Sequence, residues 1–123
     1  MAKRKRSAPR PSGASDDQID LPPVASGAVG FITAEELLRV MNRVKVLDCR
    51  SGPERKLGLI PGSIPYNPNR FEAENAPAVP VVCLSWTNKR SLVAAYRLVK
   101  QGYIVYQLKG GMWNWQRQGY PKI

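Results

Sequence analysis

From Val79 to Gly102 the sequence VPVVCLSWTNKRSLVAAYRLVKQG passes from a short apolar run through a polar loop into helical apolar spacing, and YIVYQL then supplies a second apolar run. Strand, loop, helix and strand in that order make a βα unit, whose strands lie parallel with helices over the sheet. Pro80 falls at the start of the first strand, where a missing N–H is tolerated. Within Ser91 to Gln101, the residues Leu92, Ala95, Tyr96 and Val99 share one helical stripe, and Gly102 stands at the C-terminal cap. KGG reads as a tight turn and MWNWQRQ as a last helix closed by Gly119 and Pro121. The expectation is an α/β domain: a central parallel sheet, helices on both faces, and ligands at the carboxyl ends of the strands.

Upstream, order is expected to begin near Gly30. Thr33 is placed to cap a helix, Glu36 to complete a capping box, and Ile32 with Leu37 to form a hydrophobic staple, with Leu37, Leu38 and Met41 facing inward. VKVLD, ending on Asp48, reads as a parallel strand. The stretch from Arg50 to Pro80 is dense in Pro and Gly, so turns are expected, with single helical turns around Pro53 to Lys56 and Phe71 to Glu74. Residues 1–29 show no periodic apolar face and are expected to form a disordered tail ahead of a domain at 30–123. Lys3, Arg4, Lys5, Arg6 and Arg10 supply five of the nineteen Lys and Arg, against nine Asp and Glu and a net charge of +10. That cluster is a weak pattern for contact with nucleic acid or anionic surfaces, and a merely solvated tail is the plainer reading.

Cys83 ends the apolar run just before the loop and helix. A thiol there is exposed to three sources of positive potential: unpaired amides, a helix N-terminus and nearby Lys or Arg, which together favour a nucleophilic thiolate. The alternative is a buried strand residue, where free cysteines usually sit. The chain has no histidine, so no Ser-His or Cys-His pair can operate. Cys49 and Cys83 do not make the dense framework of small secreted domains and are read as thiols in a reducing, cytoplasmic setting. No run is long and apolar enough to span a membrane, and no metal-ligand spacing or Gly-rich phosphate loop is present, so no cofactor is expected.

Three stretches carry a family resemblance. VLDCRSGPERKLGLIPGSI resembles the Asp-x-Arg strand end and Gly-x-Ile-Pro-Gly-Ala signature of rhodanese-like (sulfurtransferase) domains; VVCLSWTNKRSLVAAYRLVKQGY resembles their active-site loop and helix; VYQLKGGMWNWQRQGYP resembles their closing strand, turn and helix. The resemblance runs from about Phe31 to Pro121. It implies a single-domain sulfurtransferase in which Cys83 takes sulfane sulfur as a persulfide and hands it to an acceptor. Leu84, Ser85, Trp86, Thr87, Asn88, Lys89, Arg90 and Ser91 would hold the substrate, with Arg90 gripping an anion. Asp48 and Arg50 match a charged pair that either assists catalysis or braces neighbouring loops. Implied partners are a small anionic donor such as thiosulfate and a thiol or sulfur-accepting protein, with no membrane insertion; the chain is expected to be monomeric.

Two departures qualify the resemblance. The family pattern sets four residues between cysteine and arginine, or five in its phosphatase-like branch, whereas LSWTNK makes six. Lys89 would stand at the five-residue spacing, as a point charge without the arginine fork. The loop also lacks glycine, so any position needing positive φ falls to Asn88 or is strained. Leu59 stands where the motif often has histidine, a change of packing more than of mechanism. Trp86 is either a wall for a partner or a lid on the core; Trp113 and Trp115 read as core, and Cys49 as a buried apolar filler, the alternative being a thiol close enough to Cys83 to resolve a persulfide or form a regulatory disulfide. The alternatives to sulfur transfer are a catalytically silent binding or regulatory module and, less favoured for want of a general acid, a phosphatase or arsenate-reductase-like anion enzyme.

Overall fold

The computed structural model describes residues 19–67 and 79–123. Its centre is a five-stranded, all-parallel sheet in the order β1-β5-β4-β2-β3. The strands are β1 (Gly30–Ile32), β2 (Lys45–Asp48), β3 (Ile64–Pro65), β4 (Val81–Leu84) and β5 (Val105–Leu108). All four residues of β4 are buried, which is why its sequence is continuously apolar rather than alternating. The strands β1 and β3 are too short to show a period, and the sequence pattern does not announce them.

Helix α1 (Ala34–Val40) starts at the capping box expected from the sequence: Thr33 Oγ1 accepts the Glu36 amide at 3.0 Å and the Glu36 carboxylate accepts the Thr33 amide at 2.8 Å. A second box, Ser51 with Glu54, opens the single turn α2 (Gly52–Arg55). Helix α3 (Lys89–Lys100) follows β4, and α4 (Gly111–Arg117) follows β5. One face of the sheet packs Ile32, Val46, Val82, Leu84, Tyr106 and Leu108 against Leu37 and Val40 of α1 and Met112 and Trp115 of α4. The other packs Leu47, Val81, Cys83 and Val105 against Ala94, Ala95 and Leu98 of α3. Helices thus lie on both faces, the α/β architecture expected from the sequence.

Several placements differ from the sequence expectation. Leu38 is exposed, while Val40 takes the inward position. Helix α3 is turned from its predicted stripe: Leu92 and Tyr96 face outward, and Ser91, Ala94, Ala95 and Leu98 face the sheet. Small residues win because they bring helix and sheet backbones close enough to fill the interior. Packing also begins before Gly30, since Ile19, Leu21 and Val24 lie against the first core and the Tyr106 hydroxyl donates to the Pro22 carbonyl at 2.5 Å. Trp115 is buried with its indole N–H donating to Pro121 O at 2.8 Å, whereas Trp113 lies outside with the Arg117 guanidinium 5.2 Å from its ring centre. The helical turn expected at Phe71 to Glu74 lies outside the described residues. No helix among the described residues is long and apolar enough to cross a membrane.

Candidate active site

Strand β4 runs through Leu84, so the chain leaves the sheet at Ser85, one residue later than the sequence suggests. Ser85 is 1% exposed, and its hydroxyl accepts the Ser91 amide of α3 at 3.2 Å. It thereby does the work of a helix cap, because the residue in the cap position, Asn88, has a left-handed backbone at φ 72 and makes no cap hydrogen bond. Asn88 is the only non-glycine residue with positive φ among the described residues, the conformation the sequence assigns to it.

The Asn88 side chain ties the loop together. Its Oδ1 accepts the Ser85 amide at 3.3 Å and lies 3.2 Å from the Ser91 hydroxyl oxygen, and its Nδ2 donates to Leu108 O. The Ser91 hydroxyl stands 2.6 Å from Gln107 Oε1, and Gln107 Nε2 donates to Asn88 O at 3.4 Å. Gln107 escaped the sequence analysis, although a glutamine inside a strand buried on both faces is itself a signal that polar partners must lie beside it. From the other side the first amides of α4 hold the loop carbonyls: Met112 N donates to Ser85 O at 3.0 Å and Trp113 N to Trp86 O at 3.2 Å. Gly111 makes that approach possible, since a Cβ there would lie 2.6 Å from Trp86 O and 2.7 Å from Ser85 O, and its φ is +64. Trp86 packs partly against the core, as a lid, while Thr87 and Lys89 are exposed.

Cys83 lies outside this network. It pairs in register with Leu47 on one side and Gln107 on the other, is wholly buried, and packs among Leu47, Ala94, Ala95, Leu98 and Val105. Its thiol is pushed well above the ordinary range, first by the neighbouring Cys49 side chain and then by burial. Buried and with its thiol raised, Cys83 does not fit the ionised thiolate expected from the sequence, and the Ser91 amide of α3 addresses the Ser85 oxygen instead. Between Ser85 and Arg90 stand four residues, the spacing the family resemblance implies, against six counted from Cys83.

Arg90 is also committed elsewhere. Its Nη2 donates to both Glu54 oxygens, at 2.5 and 2.7 Å, so α2 supplies a carboxylate where an anionic substrate was expected. That hydrogen bond, with those from Ser51, holds the Glu54 carboxyl at about 2, and Glu54 in turn raises Arg90. Asp48 and Arg50 form a buried, two-pronged pair, Arg50 Nε to Oδ1 at 3.0 Å and Nη2 to Oδ2 at 2.8 Å. Arg50 also donates to Gly58 O at 2.7 Å and Glu54 O at 3.3 Å, so it clamps α2 and the following turn to the end of β2. That is the bracing alternative, and it leaves the guanidinium no freedom to meet a substrate.

The model of the rhodanese-like domain family matches residues 33–118. No curated protein matches the chain. Among solved structures it is similar to a rhodanese-related protein from Thermoplasma volcanium, at 24% identity and a TM-score of 0.68 over 76% of this chain and 97% of that one. It is similar to a rhodanese-like domain protein from Staphylococcus aureus at 22% identity and 0.63, over 71% and 91% of the two chains. Similarity to reduced CoADR-RHD of Bacillus anthracis, at 29% identity and 0.62, covers 68% of this chain but only 16% of that one.

Proposed function

The chain belongs to the rhodanese-like domain family, and from that premise we propose that it works as a catalytically silent binding module rather than as a thiolate sulfurtransferase. One observation carries this reading: the atom that receives the α3 amide is the Ser85 hydroxyl oxygen. Carrying sulfane sulfur requires an ionised sulfur. A serine hydroxyl stays protonated at neutral pH unless a neighbouring base takes its proton, and the chain contains no histidine to serve. Arg90, the natural anion grip, is already paired with Glu54. The network of Ser85, Asn88, Ser91 and Gln107 therefore acts to hold a loop shape.

A second reading, sulfur transfer through Cys83, is favoured by one specific contact. Cys49, whose side chain raises the Cys83 thiol, is only half-buried at the carboxyl end of β2 and is felt electrostatically by Arg90. A donor could deliver sulfur to Cys49, with Cys83 behind it. Thiosulfate followed by intact-mass measurement separates the two readings. A silent module gains no mass, whereas an adduct of about 32 Da, one sulfur atom on a thiolate, mapped to Cys49 or Cys83 would overturn the proposal. Both cysteines are free thiols, and we assign the module to a reducing, cytoplasmic setting on that basis.

A further inference from the structure

Helix α3 has two apolar faces, and the fold uses only one of them. The sheet is covered by Ser91, Ala94, Ala95 and Leu98, all buried. The bulkier Leu92, Val93 and Tyr96 stand in solvent, 38%, 73% and 55% exposed. Tyr96 is four residues from Leu92 and three from Val93, so the three side chains are helical neighbours and form one patch. Single exposed apolar residues are ordinary, but a contiguous patch of the three largest apolar side chains in this part of the helix is not. The patch is bracketed by cations: Lys89 lies one turn before Val93, Lys100 one turn after Tyr96, and the twelve residues of α3 contain no acid.

Building on the binding-module reading, we propose that this face docks an acidic amphipathic helix of a partner protein. Apolar side chains of that helix seat on Leu92, Val93 and Tyr96, and its carboxylates flank them opposite Lys89 and Lys100. A second copy of the chain is a poor occupant, since two such faces would set cation against cation on molecules that each carry +10. A phosphate backbone would meet the lysines but would gain nothing from Val93, the most exposed member of the patch.

The test is fluorescence anisotropy with the full chain and a labelled helical peptide of about eighteen residues, with Leu at helical spacing and Glu on its flanks. A twin with Lys for Glu and a labelled single-stranded oligonucleotide serve as comparisons. The acidic peptide is expected to bind saturably and to weaken as salt rises past about 0.15 M. Val93→Asp and the pair Lys89→Glu with Lys100→Glu are each expected to weaken it about tenfold or more with unchanged thermal midpoints, because these side chains are exposed. Failure of the acidic peptide to saturate, equal binding of the lysine twin, or indifference to both variants overturns the proposal. So does oligonucleotide binding lost in the lysine variants, which marks a nucleic-acid surface, or self-association lost in Val93→Asp, which marks a second copy. A thiosulfate adduct with peptide binding intact would sink the silent reading and spare the docking face, so the two failures are distinguishable.

Discussion

Placing sulfur at Ser85 separates the geometry of the loop from the atom at its centre. In Ser85→Cys the sulfur takes the position from which the hydroxyl accepts the Ser91 amide at 3.2 Å and faces the Ser91 hydroxyl at 3.3 Å. An anion there gains the N-terminal end of α3, worth about 0.5–2 kcal/mol, and a charge-assisted hydrogen bond from that amide worth about 1.5–3 kcal/mol. The Ser91 hydroxyl adds a second donor only by turning from Gln107 Oε1, so it is left out of the sum. Desolvation opposes both, because the site is 1% exposed. If desolvation offsets about half, the thiolate keeps about 2 kcal/mol, which moves a thiol from about 8.5 to about 7. The assay is the pH dependence of iodoacetamide alkylation with Cys49→Ser and Cys83→Ala in the background, followed by thiosulfate and intact mass. A midpoint near 7 and an adduct of about 32 Da, one sulfur on the new thiolate, are expected. A midpoint at or above about 8.5 with no adduct would refute the claim that the loop still carries the electrostatics of a sulfur site.

Three further outcomes follow from the same contacts. Arg50→Met leaves the buried Asp48 carboxylate with the more distant Arg55 Nε, at 3.8 Å, and should cost about 3 kcal/mol in urea denaturation, while Asp48→Leu with Arg50→Met should recover much of the loss. Asn88→Ala removes the acceptor for the Ser85 amide and the donor to Leu108 O and gives up asparagine's tolerance of φ 72, and should cost about 2–3 kcal/mol; Asn88→Gly removes the same bonds without the strain and should cost measurably less. The Glu54 carboxyl should titrate near 2 by NMR. A depressed acid contributes its pairing with Arg90 above the unfolded value near 4.5 and loses it as pH falls toward 2, and Arg90→Ala should move the midpoint back up.

The fold was legible because its evidence is distributed. The capping box at Thr33, the alternation of strand and helix, the glycines of the closing turn and the spacing from Asp48 to Arg50 each constrain the backbone locally, and they agree. Asn88 was legible for a related reason: a loop without glycine that needs one left-handed residue has few candidates, and asparagine tolerates that conformation best. The partners of the loop were not legible. Gln107, Glu54 and Gly111 are separated from it by 16 residues or more, and no local pattern reports which polar group a distant strand or turn will bring to Ser91, Arg90 or Ser85. The facing of α3 failed on a competition within one helix, where the bulkiest apolar side chains suggest one inward stripe and the smallest fit the sheet.

The misplaced nucleophile has a sharper cause. A parallel strand covered on both faces is apolar at every position, so VVCLS carries no alternation from which a register or an end could be read. In a strand, residues two apart point to the same face, so Cys83 and Ser85 share an orientation and differ only in depth, by about 6.6 Å along the strand. A slip of two residues therefore preserves every inference about direction and inverts every inference about environment. At the shallower position a side chain meets the amide of Ser91; at the deeper one it meets Leu47, Ala95 and Val105. The same sulfur that would be ionised at the strand's tip is held protonated one pleat below it. The cysteine alone thus says little about activity, and the residue two places on, where the backbone leaves the sheet, decides whether the loop has a nucleophile.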